Sequence, residues 1–316
     1  MSGEFRLDPH TGAWVNIVGH RQHRPNLPTS GCPFCVGGLE APEPYDTTWF
    51  PNRWPALAPG DPVDPGALLA SGATTFPARG AAEVILYSPV HDGSLGSLGV
   101  PQILKVVELW GQRTAALYER PEVQYVLVFE SRGAEVGATI HHPHGQIYAY
   151  PFVPPSPAGE MTWAHERGTD VVAEEIALEI ESGRRVIFDD GDWLAWVPSA
   201  SPYPYGLRIS SRTRHARLDD LDLRARIGLA TALHDVLGRY DRLWRNDPAA
   251  SEIFPYLMWF HQGAALRRDT DHLHVHLAPP QRAPGVARYL AAGEVGSGTL
   301  SNPVIPEEAA AVLRSV

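Results

Sequence analysis

The chain has 316 residues, of which 44% are hydrophobic and 20% are charged, and its formal net charge is −10. This composition is typical of a globular protein with a large core, and it excludes a disordered chain and a membrane span, since no apolar run reaches the ~20 residues that a membrane helix needs. The negative charge argues against a nucleic-acid-binding protein, because such proteins rely on basic surfaces.

The first residues, Met1–Arg6, lack the basic start and apolar core of a secretory signal, so we expect a cytoplasmic protein. The two cysteines of the chain follow at Cys32 and Cys35. They could form one disulfide, but only Pro33 and Phe34 separate them, and this close spacing is typical of a metal-binding knuckle or a redox pair.

A first group of elements is predicted between Thr48 and Gln146. Its helix has an apolar stripe at three- and four-residue steps, which predicts a face packed in the core. The stripe consists of Ile103, Val106, Val107, Trp110, Thr114 and Leu117. The predicted elements, in chain order, are the segment Thr48–Leu57, a strand over Glu83–Ser88, the helix over Pro101–Arg120, a strand over Val123–Phe129 and a histidine strand over His141–Gln146.

A second group of elements repeats this order. Its helix has a similar stripe, Ile227, Ala230, Leu233, Leu237 and Tyr240, which we also assign to the core. The predicted elements are the segment Trp193–Pro198, a strand over Gly206–Ser210, a helix from about Asp219 to Trp244, a strand over Tyr256–His261 and a histidine strand over His272–Leu277.

The repeated order predicts an α+β fold built from two tandem units. Consecutive strands joined by short loops favour an antiparallel sheet with helices packed on one side of it. We expect the two copies to pair into one continuous unit, with the first repeat spanning residues 1–165 and the second spanning residues 166–316.

The first histidine strand offers a phosphate-binding face. Alternate residues of a strand share a face, so His142, His144 and Gln146 are expected to point the same way, where imidazole and amide groups could address one phosphate. The alternative is a half-buried strand whose histidines are only hydrogen-bonded. We disfavour it because several polar rings on one face all need partners.

These motifs carry a family resemblance. The alternating histidines of the second repeat match the histidine-triad superfamily, and the chain resembles its two-repeat members, the galactose-1-phosphate uridylyltransferase family, over nearly its whole length. The expected fold is therefore a pair of tandem histidine-triad-like repeats. The matching segments are Arg6–Pro9 with Thr11–Val15, His20–Pro25, Cys32–Cys35, Phe50–Leu57, Ser88–His91, His142–Gln146, and Arg288–Ala291 with Glu294.

The resemblance implies catalysis through a covalent intermediate. His144 would attack the α-phosphorus of a nucleotide sugar and release a sugar 1-phosphate, and a second sugar 1-phosphate would then take the nucleotidyl group. A neutral imidazole nucleophile needs its other nitrogen held by an acceptor such as a backbone carbonyl. Gln146 would donate an N–H to a phosphate oxygen, and because it carries no transferable proton it favours transfer over hydrolysis.

The resemblance also implies substrate contacts and an assembly. Arg21 and Arg24 would bind phosphate, and in the family this segment reaches the active site of a partner subunit, so a homodimer with shared active sites is expected. The remaining expected contacts are Asn52, Arg53, Ser131, Gly137 and Thr139 for the nucleotide, and Arg288, Tyr289 and Glu294 for the sugar. The chain departs from the family pattern at Arg53, Ser131, Gly293 and Leu300, which leaves the base and the sugar less certain than the mechanism.

Two metal sites follow from the same resemblance. A Cys₂His₂ set of structural type would bind zinc, and a second set, in the C-terminal repeat, would bind iron or zinc. The first set is Cys32, Cys35, His91 and His142, and the second set is Glu160, His261, His274 and His276.

Three other functions remain open. The nearest is a related nucleotidylyltransferase or phosphorylase that uses an ADP- or GDP-sugar or another sugar 1-phosphate. A hydrolase of nucleotide phosphoramidates or dinucleotides is disfavoured, because the single-repeat hydrolases carry histidine where this chain has Gln146. A zinc-stabilised binding module without catalysis would leave His144 and Gln146 without a role.

Overall fold

The structure is a computed structural model that describes residues 3–23, 31–61 and 63–316. Within these residues, the N-terminal half contributes seven strands and two α-helices. They are β1 Glu4–Leu7, β2 Trp14–Ile17, β3 Thr48–Pro51, α1 Pro65–Ala70, β4 Thr75–Pro77, β5 Ala81–Leu86, α2 Val100–Tyr118, β6 Tyr125–Arg132 and β7 His144–Tyr150.

The C-terminal half contains the remaining elements. They are α3 Pro155–Arg167, α4 Val171–Ser182, β8 Val186–Asp189, β9 Trp193–Trp196, β10 Leu207–Ser211, α5 Leu223–Arg242, β11 Tyr256–His261, β12 His274–Ala278, β13 Gln281–Ala283, β14 Val286–Ala287, α6 Ala292–Ser297 and α7 Pro306–Arg314. No helix in the described part of the chain combines the length and the apolar character that crossing a membrane requires.

One antiparallel sheet runs through both halves. Its nine strands lie in the order β3-β5-β7-β6-β11-β12-β10-β9-β8, and β6 of the first half pairs with β11 of the second. The prediction of an antiparallel sheet shared by the two copies is therefore confirmed. Phe129 pairs with Trp259 at this junction, while Phe129 also pairs with Gln146 and Trp259 with His276. This register relates the two halves by an approximate twofold axis through the junction.

The main core lies between this sheet and the helices α2 and α5. On β7, Gly145 and Ile147 face the core, whereas His144 and Gln146 face the opposite side. The same alternation along β12 turns Val275 toward the core. All residues of the predicted α2 stripe are buried, which confirms the core assignment of Ile103, Val106, Val107, Trp110, Thr114 and Leu117.

The predicted α5 stripe contains one error. Ala230, Leu233, Leu237 and Tyr240 are buried, but Ile227 is 43% exposed. The buried face of α5 runs through Ala225, Leu229, Ala232 and Val236, so Ile227, two positions after Ala225, points away from the core. The helix also begins later than predicted, at Leu223, because the side chain of Asp222 accepts a hydrogen bond from the backbone N–H of Ala225 and caps it.

A second, smaller sheet covers the opposite face beside β7. It has the order β2-β1-β4, and its Phe5 and Phe76 form an aromatic cluster with Phe152. The same apolar cluster includes Tyr148 and Tyr150 at the end of β7. The sequence did not predict this sheet, and its contacts fix the N-terminal segment against the strand that carries the histidine motif.

Candidate active site

His144 begins β7, and a strand alternation places it on the face opposite the helices. Gln146 and Tyr148 share this face, while Gly145 between them is buried. His142 lies in the bend before the strand instead of within it, because the strand begins at His144, three residues after the predicted start at His141. The structure therefore gives His142 and His144 different surroundings although only Pro143 separates them.

The tautomer of His144 is set by its own backbone. Its Nδ1 lies 2.7 Å from the carbonyl oxygen of His142, so Nδ1 carries the proton and donates it to that carbonyl. The lone pair is then on Nε2, the nitrogen that a nucleophilic imidazole uses. The ring also packs edge-on against Phe34, with 5.0 Å between the ring centroids. These two contacts orient the histidine before a substrate binds.

Gln146 is oriented by Asn52. The Oδ1 of Asn52 accepts a hydrogen bond of 2.9 Å from the backbone N–H of Trp54, so its amide nitrogen must face the other way. That nitrogen donates to Oε1 of Gln146 at 3.1 Å. The amide N–H₂ of Gln146 therefore points away from Asn52 as a donor. Asn52 directly follows β3, and β3 pairs with β5, which pairs with β7. One sheet therefore positions both amides.

Cys32, Cys35, His91 and His142 come together beside the histidine turn. The Sγ of Cys35 lies 3.5 Å from Nδ1 of His91 and 3.7 Å from Nδ1 of His142, and the Sγ of Cys32 lies 3.8 Å from Nδ1 of His142. A tetrahedral zinc with Zn–S of about 2.3 Å and Zn–N of about 2.0 Å separates S and N by about 3.5 Å. The four donor atoms, all within 4.8 Å of one another, therefore fit zinc.

The protonation of this cluster suits metal binding. Burial lowers the pKa of His142, which favours the neutral imidazole that a metal requires. Its Nε2 lies 2.8 Å from the carbonyl oxygen of Ser88 and donates to it, so Nδ1 faces the cysteines with its lone pair. Both cysteines are free thiols, so no disulfide links them.

A small cavity of about 30 Å³ opens beside His144. Ser131 of β6 lines it, and so do Glu130, Arg132 and Ser94. Gly137 and Thr139, which are also predicted to contact the nucleotide, are sequence neighbours of the lining residues Ala138 and Ile140. Gly137 has φ of +79°, a conformation that favours glycine, and it ends a short 3₁₀ helix in the loop between β6 and β7. The lining also includes Gly133, Ala138, Ile140, His141, His142, Pro143 and Ile253.

The predicted phosphate-binding arginines are only partly placed. Nη1 of Arg21 donates to the hydroxyl of Tyr148 at 3.3 Å, which brings Arg21 onto the face of β7 that carries His144 and Gln146. Arg24 lies outside the described residues. Arg53 is turned toward solvent and pairs with Glu40 at 3.5 Å.

The predicted sugar-contacting residues form a separate group. Nη2 of Arg288 donates to Oε1 of Glu294 at 2.9 Å, and the backbone N–H groups of Ala291 and Ser301 also donate to this carboxylate. The two backbone donors, together with Arg288, lower the pKa of Glu294. Tyr289 is 82% exposed. Arg288 and Tyr289 line a surface concavity of their own, and none of the three residues lines the cavity beside His144.

Glu160, His261, His274 and His276 form a second cluster on the same face of the sheet, in the other half of the molecule. Their donor atoms lie within 4.8 Å of one another. Burial lowers the pKa of His261 and of His276, and Nε2 of His276 is buried without a hydrogen-bond partner among the described residues. Buried polar atoms normally have a partner, so a buried imidazole nitrogen without one, beside a carboxylate, is typical of a metal ligand in a chain without its metal.

Glu160 supplies the negative charge of this second cluster. Burial opposes its ionisation, but hydrogen bonds with His261 and His274 bring its pKa below the ordinary value. Its Oε2 lies 2.7 Å from Nδ1 of His261 and 3.4 Å from Nε2 of His274. The residue lies on α3, a helix that the sequence did not predict because the segment is rich in proline; Pro155 occupies the first turn, where proline is tolerated.

Sequence reasoning missed three side chains that brace the site. The hydroxyl of Tyr45 lies 2.9 Å from Nε2 of His142 and donates to the carbonyl of Phe34 at 2.7 Å. Tyr87 and Glu130 lie buried behind β7. Of the three, only Glu130 could have been noticed in the sequence, since a carboxylate directly after the apolar run Val126–Phe129, on its core-facing side, is unusual.

Comparisons with known proteins agree with this geometry. The profile described as "Galactose-1-phosphate uridyl transferase, N-terminal domain" matches residues 30–154, and that of the C-terminal domain matches residues 160–316. The chain is similar to galactose-1-phosphate uridylyltransferase of Thermotoga maritima, with 36% identity over 98% of both chains. The enzyme of that name from Streptomyces lividans is 32% identical over 100% of this chain and 87% of its own. A solved structure entitled "Structure of uridylyltransferase" superposes with a TM-score of 0.84, 28% identity and coverage of 99% and 97%.

Proposed function

The chain belongs to the galactose-1-phosphate uridylyltransferase family, and from that membership we propose that it transfers UMP from UDP-glucose to galactose 1-phosphate. It is a nucleotidyltransferase. The observation that carries the mechanism is the 2.7 Å contact between Nδ1 of His144 and the carbonyl of His142, which presents Nε2 as a nucleophile on the same strand face as Gln146.

The reaction has two steps. In the first, Nε2 of His144 attacks the α-phosphorus of UDP-glucose, an N–P bond forms, and the bond from phosphorus to the bridging oxygen breaks as glucose 1-phosphate leaves. In the second, a phosphate oxygen of galactose 1-phosphate attacks the same phosphorus and the N–P bond breaks, giving UDP-galactose and free histidine. The proton stays on Nδ1 throughout, and the carbonyl of His142, which accepts its hydrogen bond, stabilises the positive charge of the uridylylated ring.

Gln146 favours transfer over hydrolysis in this scheme. Asn52 holds its Oε1, so its N–H₂ is directed outward as a donor to a non-bridging phosphate oxygen. An amide donor has no proton to exchange with an attacking water. The uridylyl-histidine therefore waits for a sugar phosphate, which distinguishes this site from those of histidine-triad hydrolases.

We assign the two metal clusters to different roles. Cys32, Cys35, His91 and His142 form a closed Cys₂His₂ set with no position for substrate, so a zinc ion there would be structural and would hold the turn from which His144 emerges. Glu160, His261, His274 and His276 would hold iron or zinc in the second repeat, which we delimit as residues 166–316, with Glu160 contributed by the first repeat, residues 1–165.

The remaining substrate contacts are proposed from the family resemblance. Arg21 and Arg24 would bind the phosphates; Asn52, Arg53, Ser131, Gly137 and Thr139 would contact the nucleotide; and Arg288, Tyr289 and Glu294 would contact the sugar. The position of Ser131 in the cavity beside His144 supports the nucleotide assignment. Arg288 and Tyr289 line a concavity that shares no residue with that cavity, which supports a role for the Arg288–Glu294 group in a neighbouring subunit of a homodimer.

Intact-mass spectrometry tests the covalent step. The protein incubated with UDP-glucose is expected to gain one uridylyl group, and His144→Ala is expected to gain none. His165→Ala is the control, because His165 is an exposed histidine on α3, outside the cavity lining and both metal clusters, and should leave the adduct unchanged. No adduct with UDP-glucose, or an adduct that survives in His144→Ala, would contradict the proposal. An adduct that forms only with an ADP- or GDP-sugar would move the assignment to the related nucleotidylyltransferase.

Mixing two inactive variants tests the shared active site. If Arg21 serves the partner's site, a mixture of Arg21→Ala and His144→Ala chains contains mixed dimers with one intact site, and about a quarter of the wild-type activity returns. If Arg21 serves its own chain, as its contact with Tyr148 would favour, no activity returns. Each chain alone is the control.

A further inference from the structure

Tyr87 contacts the histidine motif from behind, and the mechanism above does not use it. It follows β5 directly and is fully buried. Its backbone N–H donates to the carbonyl of Pro143 at 3.1 Å, and its own carbonyl accepts from Nε2 of Gln102 on α2 at 2.9 Å. Its ring packs edge-on against Trp110 with 5.7 Å between centroids. The main chain of Tyr87 thus ties the turn before His144 to the core helix.

The hydroxyl of Tyr87 occupies the space behind Gly145. A Cβ placed on Gly145 would lie 2.0 Å from this oxygen and 3.0 Å from the carbonyl oxygen of Phe129. Only glycine therefore fits between His144 and Gln146, and the phenol is in direct contact with the backbone that joins the two reactive side chains. A shift of this ring would move both side chains together, because β7 carries them on one face.

Glu130 and Tyr256 are the buried polar groups that influence that hydroxyl. The carboxyl of Glu130 is buried on the core side of β6, and its Oε1 accepts a hydrogen bond of 2.8 Å from the hydroxyl of Tyr256. Neither Oε2 of Glu130 nor the hydroxyl of Tyr87 has a hydrogen-bond partner among the described residues, while burial and Glu130 raise the pKa of Tyr87 and Tyr87 acts to lower that of Glu130. A buried polar atom needs a partner, so the two groups are expected to hydrogen-bond to each other.

We propose that Tyr87, oriented by Glu130 and Tyr256, is a positioning residue that sets the backbone of Gly145 and thereby aligns His144 and Gln146 for attack at phosphorus. This inference rests on the proposed uridylyl transfer. It also gives the second repeat a part in catalysis, because Tyr256 belongs to β11 and reaches across the junction between the halves.

Single-turnover uridylylation tests the proposal. Tyr87→Phe keeps the ring and removes only the hydroxyl. Since a misplacement of about 1 Å can cost ~100-fold in rate, a fraction of that shift predicts a loss of about tenfold in the rate of adduct formation per active site. The KM for UDP-glucose and the melting temperature are expected to stay close to wild type. Tyr240→Phe is the matched control, because it also removes a buried hydroxyl, bonded to the carbonyl of Tyr205 at 2.6 Å, on the helix α5.

Substitutions at Glu130 provide a rescue. Glu130→Gln retains an acceptor for Tyr256 and a donor for Tyr87, so its rate is expected within about twofold of wild type, while Glu130→Leu is expected to match Tyr87→Phe. A wild-type rate in Tyr87→Phe, or an equal loss in Tyr240→Phe, would overturn the proposal. If the wild-type protein forms no adduct, the proposed function itself has failed. If the wild-type protein forms the adduct and the variants form it at the same rate, only the proposed role of Tyr87 has failed.

Discussion

Glu130→Gln is expected to stabilise the protein at alkaline pH. Burial raises the pKa of Glu130 to about 7 from an ordinary value of 4.5, although the hydroxyl of Tyr256 and the charge of Arg132 favour the ionised form. The native state therefore keeps a proton that the unfolded chain loses as soon as the pH exceeds its ordinary value. The stability that this carboxyl contributes is complete below pH 4.5 and is lost as the pH rises through 7.

The size of the effect follows from the shift. A difference of 2.5 pKa units, from 4.5 to about 7, corresponds at about 1.4 kcal/mol per unit to about 3 kcal/mol of unfolding free energy. About 2 kcal/mol of this develops between roughly pH 5.5 and pH 8. Glutamine has no such titration and keeps the hydrogen-bond pattern of the protonated acid, so the variant avoids the loss.

Urea unfolding of the wild-type and variant proteins at these two pH values measures the effect. The stability difference in favour of Glu130→Gln should be about 2 kcal/mol larger at pH 8 than at pH 5.5. Both proteins carry the same histidines, so the titration of the metal clusters cancels in the difference. Glu181→Gln, at an exposed position of α4, is the control and should show the same difference at both pH values. An advantage of Glu130→Gln that is constant with pH, or larger at pH 5.5, would refute the reasoning.

Three further predictions concern the site. Cys32→Ser should lose zinc from the purified protein and lower its melting temperature, and elemental analysis that finds equal zinc in wild type and variant would count against the Cys₂His₂ assignment. Asn52→Ala releases Oε1 of Gln146 and should slow adduct formation about tenfold, while the lost hydrogen bond to the N–H of Trp54 should cost about 1 kcal/mol of stability; an unchanged single-turnover rate would show that Asn52 does not orient Gln146. Gln146→His should shorten the lifetime of the uridylyl adduct in the absence of galactose 1-phosphate, and an equal lifetime would remove the amide from the choice between transfer and hydrolysis.

Local patterns in the sequence were sufficient for the repeated framework. The helix α2 followed from its apolar stripe, and the strands β6 and β11 followed from runs that are apolar enough to be buried. Ile227 shows the limit of this reasoning, because an apolar residue at a helical step from Ala230 can still lie outside the buried face. α3 was missed because proline in a first turn looks the same in sequence as proline in a loop.

The parts of the site that escaped prediction depend on contacts between distant residues. Tyr45 reaches His142 across 97 positions, and no spacing rule connects a single tyrosine with a histidine so far away. The Cys32–Cys35 pair indicated a knuckle but left the metal and redox interpretations open until the fold brought His91 and His142 to it. Long-range pairing, set by the register of the sheet, decides which of several local possibilities is realised.

The twofold relation between the halves shows which features of the site come from the fold and which come from individual side chains. Nδ1 of His144 faces the carbonyl of His142 at 2.7 Å, and Nδ1 of His274 faces the carbonyl of His272 at 2.8 Å, so both repeats present a histidine with Nε2 outward in the same way.

The neighbours of these two histidines differ. The register through Phe129 and Trp259 makes Gln146 equivalent to His276, and by continuation Ser131 equivalent to His261. In the first repeat the neighbours of His144 are an amide and a hydroxyl, and its outward nitrogen faces a cavity and can attack phosphorus. In the second repeat the neighbours of His274 are two imidazoles and the carboxylate of Glu160, and the equivalent nitrogen becomes a metal ligand candidate. The strand geometry alone therefore cannot determine the chemistry, and the two sites differ by Gln146 and Ser131 in one repeat against His276, His261 and Glu160 in the other.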